Sequence, residues 1–147
     1  MKPSHAWRQH GTVSLWRYPD GQRNFPGWHL GADADGCASL LALLGALEAD
    51  GAGTSRTVQL LAPDTAQLAV PNNRDAKWDT AQTLRLTVDA AADAWQWLLD
   101  GQRLELRIGI NALPGLRHGV QDIAAGRGDY SVGSGTDALW FWWWPRG

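Results

Sequence analysis

The residues with the most unusual chemistry in this chain are aromatic and lie together at residues 139–144. Tryptophan offers a large apolar surface with one N–H donor, and it is enriched among the residues that dominate binding energy. Successive side chains of a strand point to opposite faces, so Trp140, Trp142 and Trp144 would share one face, opposite Leu139, Phe141 and Trp143. Three interpretations remain open: a central strand covered on both faces, a docking surface for another protein or a second copy, and a stacking platform for sugars or bases.

A glycine-rich stretch with polar residues, 126–135, precedes the aromatic run and includes Arg127, Asp129 and Tyr130. A phosphate-binding loop follows a strand and precedes a helix, whereas here the predicted helix comes first and the stretch has no Lys. Tight-turn geometry accounts for the glycines. We therefore expect a turn that can line a partner site beside the aromatic strand.

A possible nucleophile is Cys37, with His29 eight residues before it. Cys37 falls in the first turn of a predicted helix, where the helix dipole can lower a thiol pKa, and a nearby His would complete a nucleophilic pair. The same Cys also lies on the apolar stripe that includes Leu40 and Leu44, which favours a small core residue. The sequence does not show whether the two side chains meet.

No metal or cofactor site is predicted. Asp33-Ala34-Asp35-Gly36 resembles the start of a calcium loop, but its Gly comes two positions early and no Glu stands at the required distance. The four histidines form no i, i+4 pair on a helix, and a single Cys excludes cysteine-rich metal sites and an internal disulfide.

Composition limits the partners and the compartment. A net charge of -2 gives no reason to expect nucleic-acid binding, although 10 Trp in 147 residues is a large aromatic load. The longest apolar stretches, 40–47 and 138–144, are far shorter than the roughly 20 residues that span a bilayer. With no signal-peptide pattern at the start, we expect a cytoplasmic protein that binds no membrane. Arg residues outnumber Lys residues and Asp residues outnumber Glu residues, as is typical of proteins from GC-rich bacterial genomes.

Hydrophobic periodicity predicts one α+β domain over residues 11–147, after a flexible segment 1–10. Its architecture is a mostly antiparallel sheet with two or three helices packed against it. Strands are predicted at 11–18, 28–32, 57–61, 67–70, 83–88, 103–110, 130–132 and 138–144, and helices from 33–36 to about 50, over 90–99 and over 111–125.

These observations favour a small bacterial cytosolic binding protein without catalytic activity, of the kind that inhibits or gives immunity to a protein partner by occluding it. Its surface would comprise Trp140, Trp142, Trp144, Arg127, Asp129 and Tyr130. One alternative is an enzyme of unknown reaction with a site near the turn 126–135 and His29 or Cys37. Another is a homodimer that uses the aromatic strand as its subunit interface.

Overall fold

The computed structural model describes residues 2–18, 27–70, 78–133 and 137–144. Its helices are α1 (Pro3–Ala6), α2 (Ala34–Asp50), α3 (Thr65–Ala69) and α4 (Leu113–Ala124). Its strands are β1 (Val13–Arg17), β2 (Trp28–Ala32), β3 (Ser55–Gln59), β4 (Asp79–Thr80), β5 (Thr83–Val88), β6 (Trp95–Asp100), β7 (Arg103–Ile108), β8 (Asp129–Val132) and β9 (Leu139–Trp142). The predicted α+β class is confirmed.

The strands form two mixed sheets where the sequence predicted one. The five-stranded sheet has the order β4-β1-β2-β9-β8, and the four-stranded sheet has the order β3-β5-β7-β6. Each sheet contains one parallel contact, β2 with β9 and β5 with β7. Every other neighbouring pair is antiparallel.

The connectivity repeats itself. β1, β2, α2, β3 and β5 form an antiparallel pair, a helix and a second antiparallel pair, and β6, β7, α4, β8 and β9 do the same. The two halves are interlaced, because each sheet takes the first pair of one half and the second pair of the other. In both sheets the two pairs meet through their second strands, in parallel.

Both sheets and both long helices share one hydrophobic core. It includes Leu15 from β1, Leu44 from α2, Leu106 from β7, Val120 from α4 and Phe141 from β9. A smaller cluster covers the opposite face of the five-stranded sheet, with residues from β1, β9 and α3: Trp16, Tyr18, Leu68 and Trp142.

Asp33 is the N-cap residue of α2. The Asp33 carboxylate accepts from the backbone N–H of Gly36 at 2.7 Å and from that of Thr12 at 2.9 Å. It therefore satisfies a free donor of the first helical turn and ties the helix start to the chain before β1.

Two predicted elements are wrong. Residues 67–70 lie in or beside α3, because Asp64 and Gln67 form a reciprocal capping box that starts a helix. The helix predicted over 90–99 is instead a turn followed by β6, which pairs with β7 in full register. Cross-strand pairing and the burial it brings outweigh the helix propensity of the alanines there.

The start of the chain packs on α2. The Trp7 indole is buried and its Nε1 donates to the Ser39 carbonyl at 2.8 Å, while the Ser4 backbone N–H donates to Asp50. The segment 1–10, expected to be flexible, therefore includes one residue of the core, Trp7.

Candidate partner-binding site

The aromatic strand β9 is a central strand. It lies between β2 and β8, so both of its edges are paired. Leu139 and Phe141 join the main core, whereas Trp140 and Trp142 lie with the cluster on the opposite face. The predicted alternation of these four side chains is confirmed.

Trp142 is buried at the centre of that second face. Its Nε1 donates to Nδ1 of His29 at 2.7 Å, and the two rings are nearly parallel. His29 is fully buried and also stacks on Trp16, at 5.7 Å between ring centroids. An imidazole accepts a hydrogen bond only through an unprotonated nitrogen, so this contact requires Nδ1 of His29 to be unprotonated.

The exposed part of the aromatic run is its continuation past the strand. Trp143 follows the last residue of β9 and is 38% exposed, with its ring edge-on to Trp142. Trp143 lines an open depression of about 430 Å³ together with Gly126, Arg127 and Gly128. An adjoining depression of about 220 Å³ is lined by Trp144, Gly126 and residues of α4 and β2.

Glycine holds this surface close to β9. Gly128 has a φ of +134°, and a Cβ there would stand 3.1 Å from the Phe141 carbonyl oxygen. Only a residue without a side chain takes this conformation without strain at that distance. The turn after α4 is therefore pressed against the strand that leads to Trp143.

A small polar network holds the Arg127 guanidinium. Asp122 accepts from the Arg127 guanidinium at 3.1 Å and from the Tyr130 hydroxyl at 2.6 Å. These hydrogen bonds, that from Tyr130 first, hold the pKa of Asp122 below its ordinary value. Burial and the Asp122 carboxylate raise the pKa of Tyr130 to about 12. The Arg127 side chain remains 74% exposed.

The structure brings together part of the predicted set. Arg127 and Tyr130 both contact Asp122, and Trp144 lies beside the same turn. Asp129 pairs with Trp142 through the β8–β9 ladder, and its side chain, like residues 134–136 of the turn, lies outside the described residues. Trp142 is buried, and Trp143, predicted to share the face of Leu139 and Phe141, is exposed because the strand ends at Trp142.

Cys37 and His29 do not form a pair. Cys37 lies in the main core, where Sγ is 3.5 Å from the Ala32 carbonyl oxygen. His29 lies on the other face of β2, since its neighbours Trp28 and Leu30 point into that core. Burial, with a smaller effect of the Asp33 charge, raises the pKa of Cys37 to about 11, so the group is a thiol at neutral pH.

The described ranges of the chain contain no metal-ligand cluster and no membrane-spanning helix. Among them no group of three or more His, Cys, Asp or Glu is arranged to hold a metal ion. None of their helices combines the length and the apolar character that crossing a bilayer requires.

Comparison with known proteins found no matching family model, no similar curated protein and no similar solved structure.

Proposed function

We propose that this chain is a non-catalytic binding protein that occludes a protein partner through the surface formed by Arg127 and Trp143. An inhibitor or immunity protein is the form of this function that the sequence favours. The proposal rests chiefly on one observation: the exposed Trp143, which follows β9, and the exposed Arg127, on the turn packed against β9, line the same open depression. Trp and Arg are the residue types most enriched among binding hot spots.

The exposed groups of this surface indicate which groups a partner would present to it. The exposed face of Trp143 suits an apolar recess, and the Arg127 guanidinium suits a carboxylate at the edge of that recess. Because Arg127 is already held by Asp122 and Trp143 adjoins the buried Trp142, little side-chain freedom is lost on binding.

The test compares two tryptophans of nearly equal exposure. Trp143 is 38% exposed and Trp78 is 37% exposed. Tagged wild-type protein, Trp143→Ala and Trp78→Ala would each be used to capture partners from the source lysate, and the affinity for a captured protein would then be measured. We expect Trp143→Ala to weaken binding by about 2 kcal/mol, roughly 30-fold in Kd.

Trp78→Ala is the control for the loss of an exposed indole outside the proposed surface. A partner kept by Trp78→Ala and lost by Trp143→Ala supports the proposal, provided that the circular dichroism of both variants matches that of the wild type. If Trp143→Ala and the wild type bind every captured partner with equal affinity, the Arg127–Trp143 surface is not the binding site.

A further inference from the structure

The strand β6 forms an open edge of the four-stranded sheet. It is the last strand in the order and pairs with β7 along its whole length. Within the described ranges of the chain, no strand pairs with its other side. A free edge presents unpaired backbone donors and acceptors, which is a template for a further strand.

The repeated connectivity indicates that a further strand can pair with this edge. β6 in the second half corresponds to β1 in the first half, because each begins its half and lies outside the second strand of its pair. The outer side of β1 is covered by β4, with Trp16 opposite Thr80 and Arg17 opposite Asp79. The equivalent cover is missing from β6 among the described residues.

The residues of β6 do not protect the edge. Natural edge strands are commonly guarded by Lys, Pro or an inward-pointing charge, and β6 has none of these in Trp95-Gln96-Trp97-Leu98-Leu99-Asp100. Leu98 is 41% exposed and Leu99 is 43% exposed. Association would remove both side chains from water, which stabilises the associated state.

The strand is complementary to itself. In the antiparallel register centred on Leu98, the two Leu98 side chains face each other, Gln96 faces Asp100 of the second copy, and Trp97 faces its Leu99. Antiparallel partners share a face of the sheet, and in this register the amide of Gln96 can donate to the Asp100 carboxylate. No like charges are opposed, because Asp100 is the only charged residue of β6.

We propose that β6 pairs antiparallel with β6 of a second copy, joining two four-stranded sheets into one continuous eight-stranded sheet across a two-fold axis. This interface differs from the homodimer expected at the aromatic strand, whose edges are both closed. It shares no residue with the Arg127–Trp143 surface, so the two proposals can fail separately.

The experiment measures the solution mass of the full chain by light scattering over a concentration range. The wild type is expected to approach twice 16.1 kDa as the concentration rises. Leu98→Lys would place two positive charges against each other at the axis, and we expect it to remain at the monomer mass. Leu61→Lys makes the same change at a leucine that is 60% exposed and outside β6, and it should dimerise as the wild type does.

A second measurement covers the case in which Leu98→Lys does not fold. Hydrogen exchange of the wild type at low and high concentration should show protection of residues 95–100 increasing with concentration. A wild type that stays monomeric at all concentrations overturns the proposal and leaves this edge to a strand of a different protein. Dimers that persist in folded Leu98→Lys, or that form without added protection of β6, overturn it equally.

Discussion

Two helical glycines show how strongly single residues depend on their surroundings. A Cβ at Gly119 in α4 would overlap the ring of Phe141, whereas a Cβ at Gly45 in α2 would meet nothing within 4 Å. We expect Gly119→Ala to lower the free energy of unfolding by about 1–3 kcal/mol through overpacking. Gly45→Ala should raise it by up to about 1 kcal/mol, because Ala restricts the unfolded chain and favours the helix. Urea denaturation of both variants measures the two changes, and shifts of the same sign would contradict this account.

The Asp122 network predicts a pH dependence at the same scale. Since the pKa of Asp122 is lower in the folded chain than its ordinary value of 3.8, its contribution to stability is present above about pH 4. That contribution is lost as the pH falls through the lowered pKa. Tyr130→Phe removes the hydrogen bond that is the largest cause of the lowered Asp122 pKa. We therefore expect the variant to have a lower free energy of unfolding than the wild type at pH 7. This difference between variant and wild type should become smaller below pH 4. Urea midpoints at both pH values test this, and a difference independent of pH would exclude the assigned role.

At the scale of elements, secondary structure was predicted best where the pattern of apolar residues had a single physical cause. Leu84, Leu86 and Val88 alternate with polar residues because one face of β5 is buried and the other meets water. The helix predicted over 90–99 is wrong because the segment pairs with β7, the next strand, and because two of its side chains bind a distant segment. The indoles of Trp95 and Trp97 both donate to the Asp137 carbonyl, about 40 residues away along the chain, and local propensity carries no information about such contacts.

Only part of the candidate site could be predicted from the sequence, because the rest depends on contacts between residues that are distant along the chain. Periodicity located the aromatic strand and the turn with Arg127 beside it. It did not identify Trp143 as the exposed residue, because Trp142 is buried against His29, which lies 113 residues away in sequence. In the sequence Pro145 marks the end of the aromatic run, but it stands three positions after Trp142 and does not indicate that the strand ends there.

At the scale of the whole molecule, the interlaced halves predict cooperative unfolding. Neither sheet is complete within one half, and residues of both halves share one core. We expect a single urea transition in which tryptophan fluorescence and far-ultraviolet circular dichroism coincide. Two separated transitions would show that the halves are independent folding units.

The interlacing also bears on synthesis of the chain. Proteins emerge from the ribosome N-terminus first, and β2, buried along its whole length in the native fold, acquires its parallel neighbour only when Leu139–Trp142 is made. Until then one backbone edge of β2 has no native partner, so the five-stranded sheet cannot close before residues 139–142 have been made. A nascent chain that stops before β9 would therefore present an apolar, unpaired edge of β2 to the chaperones and proteases of the cell.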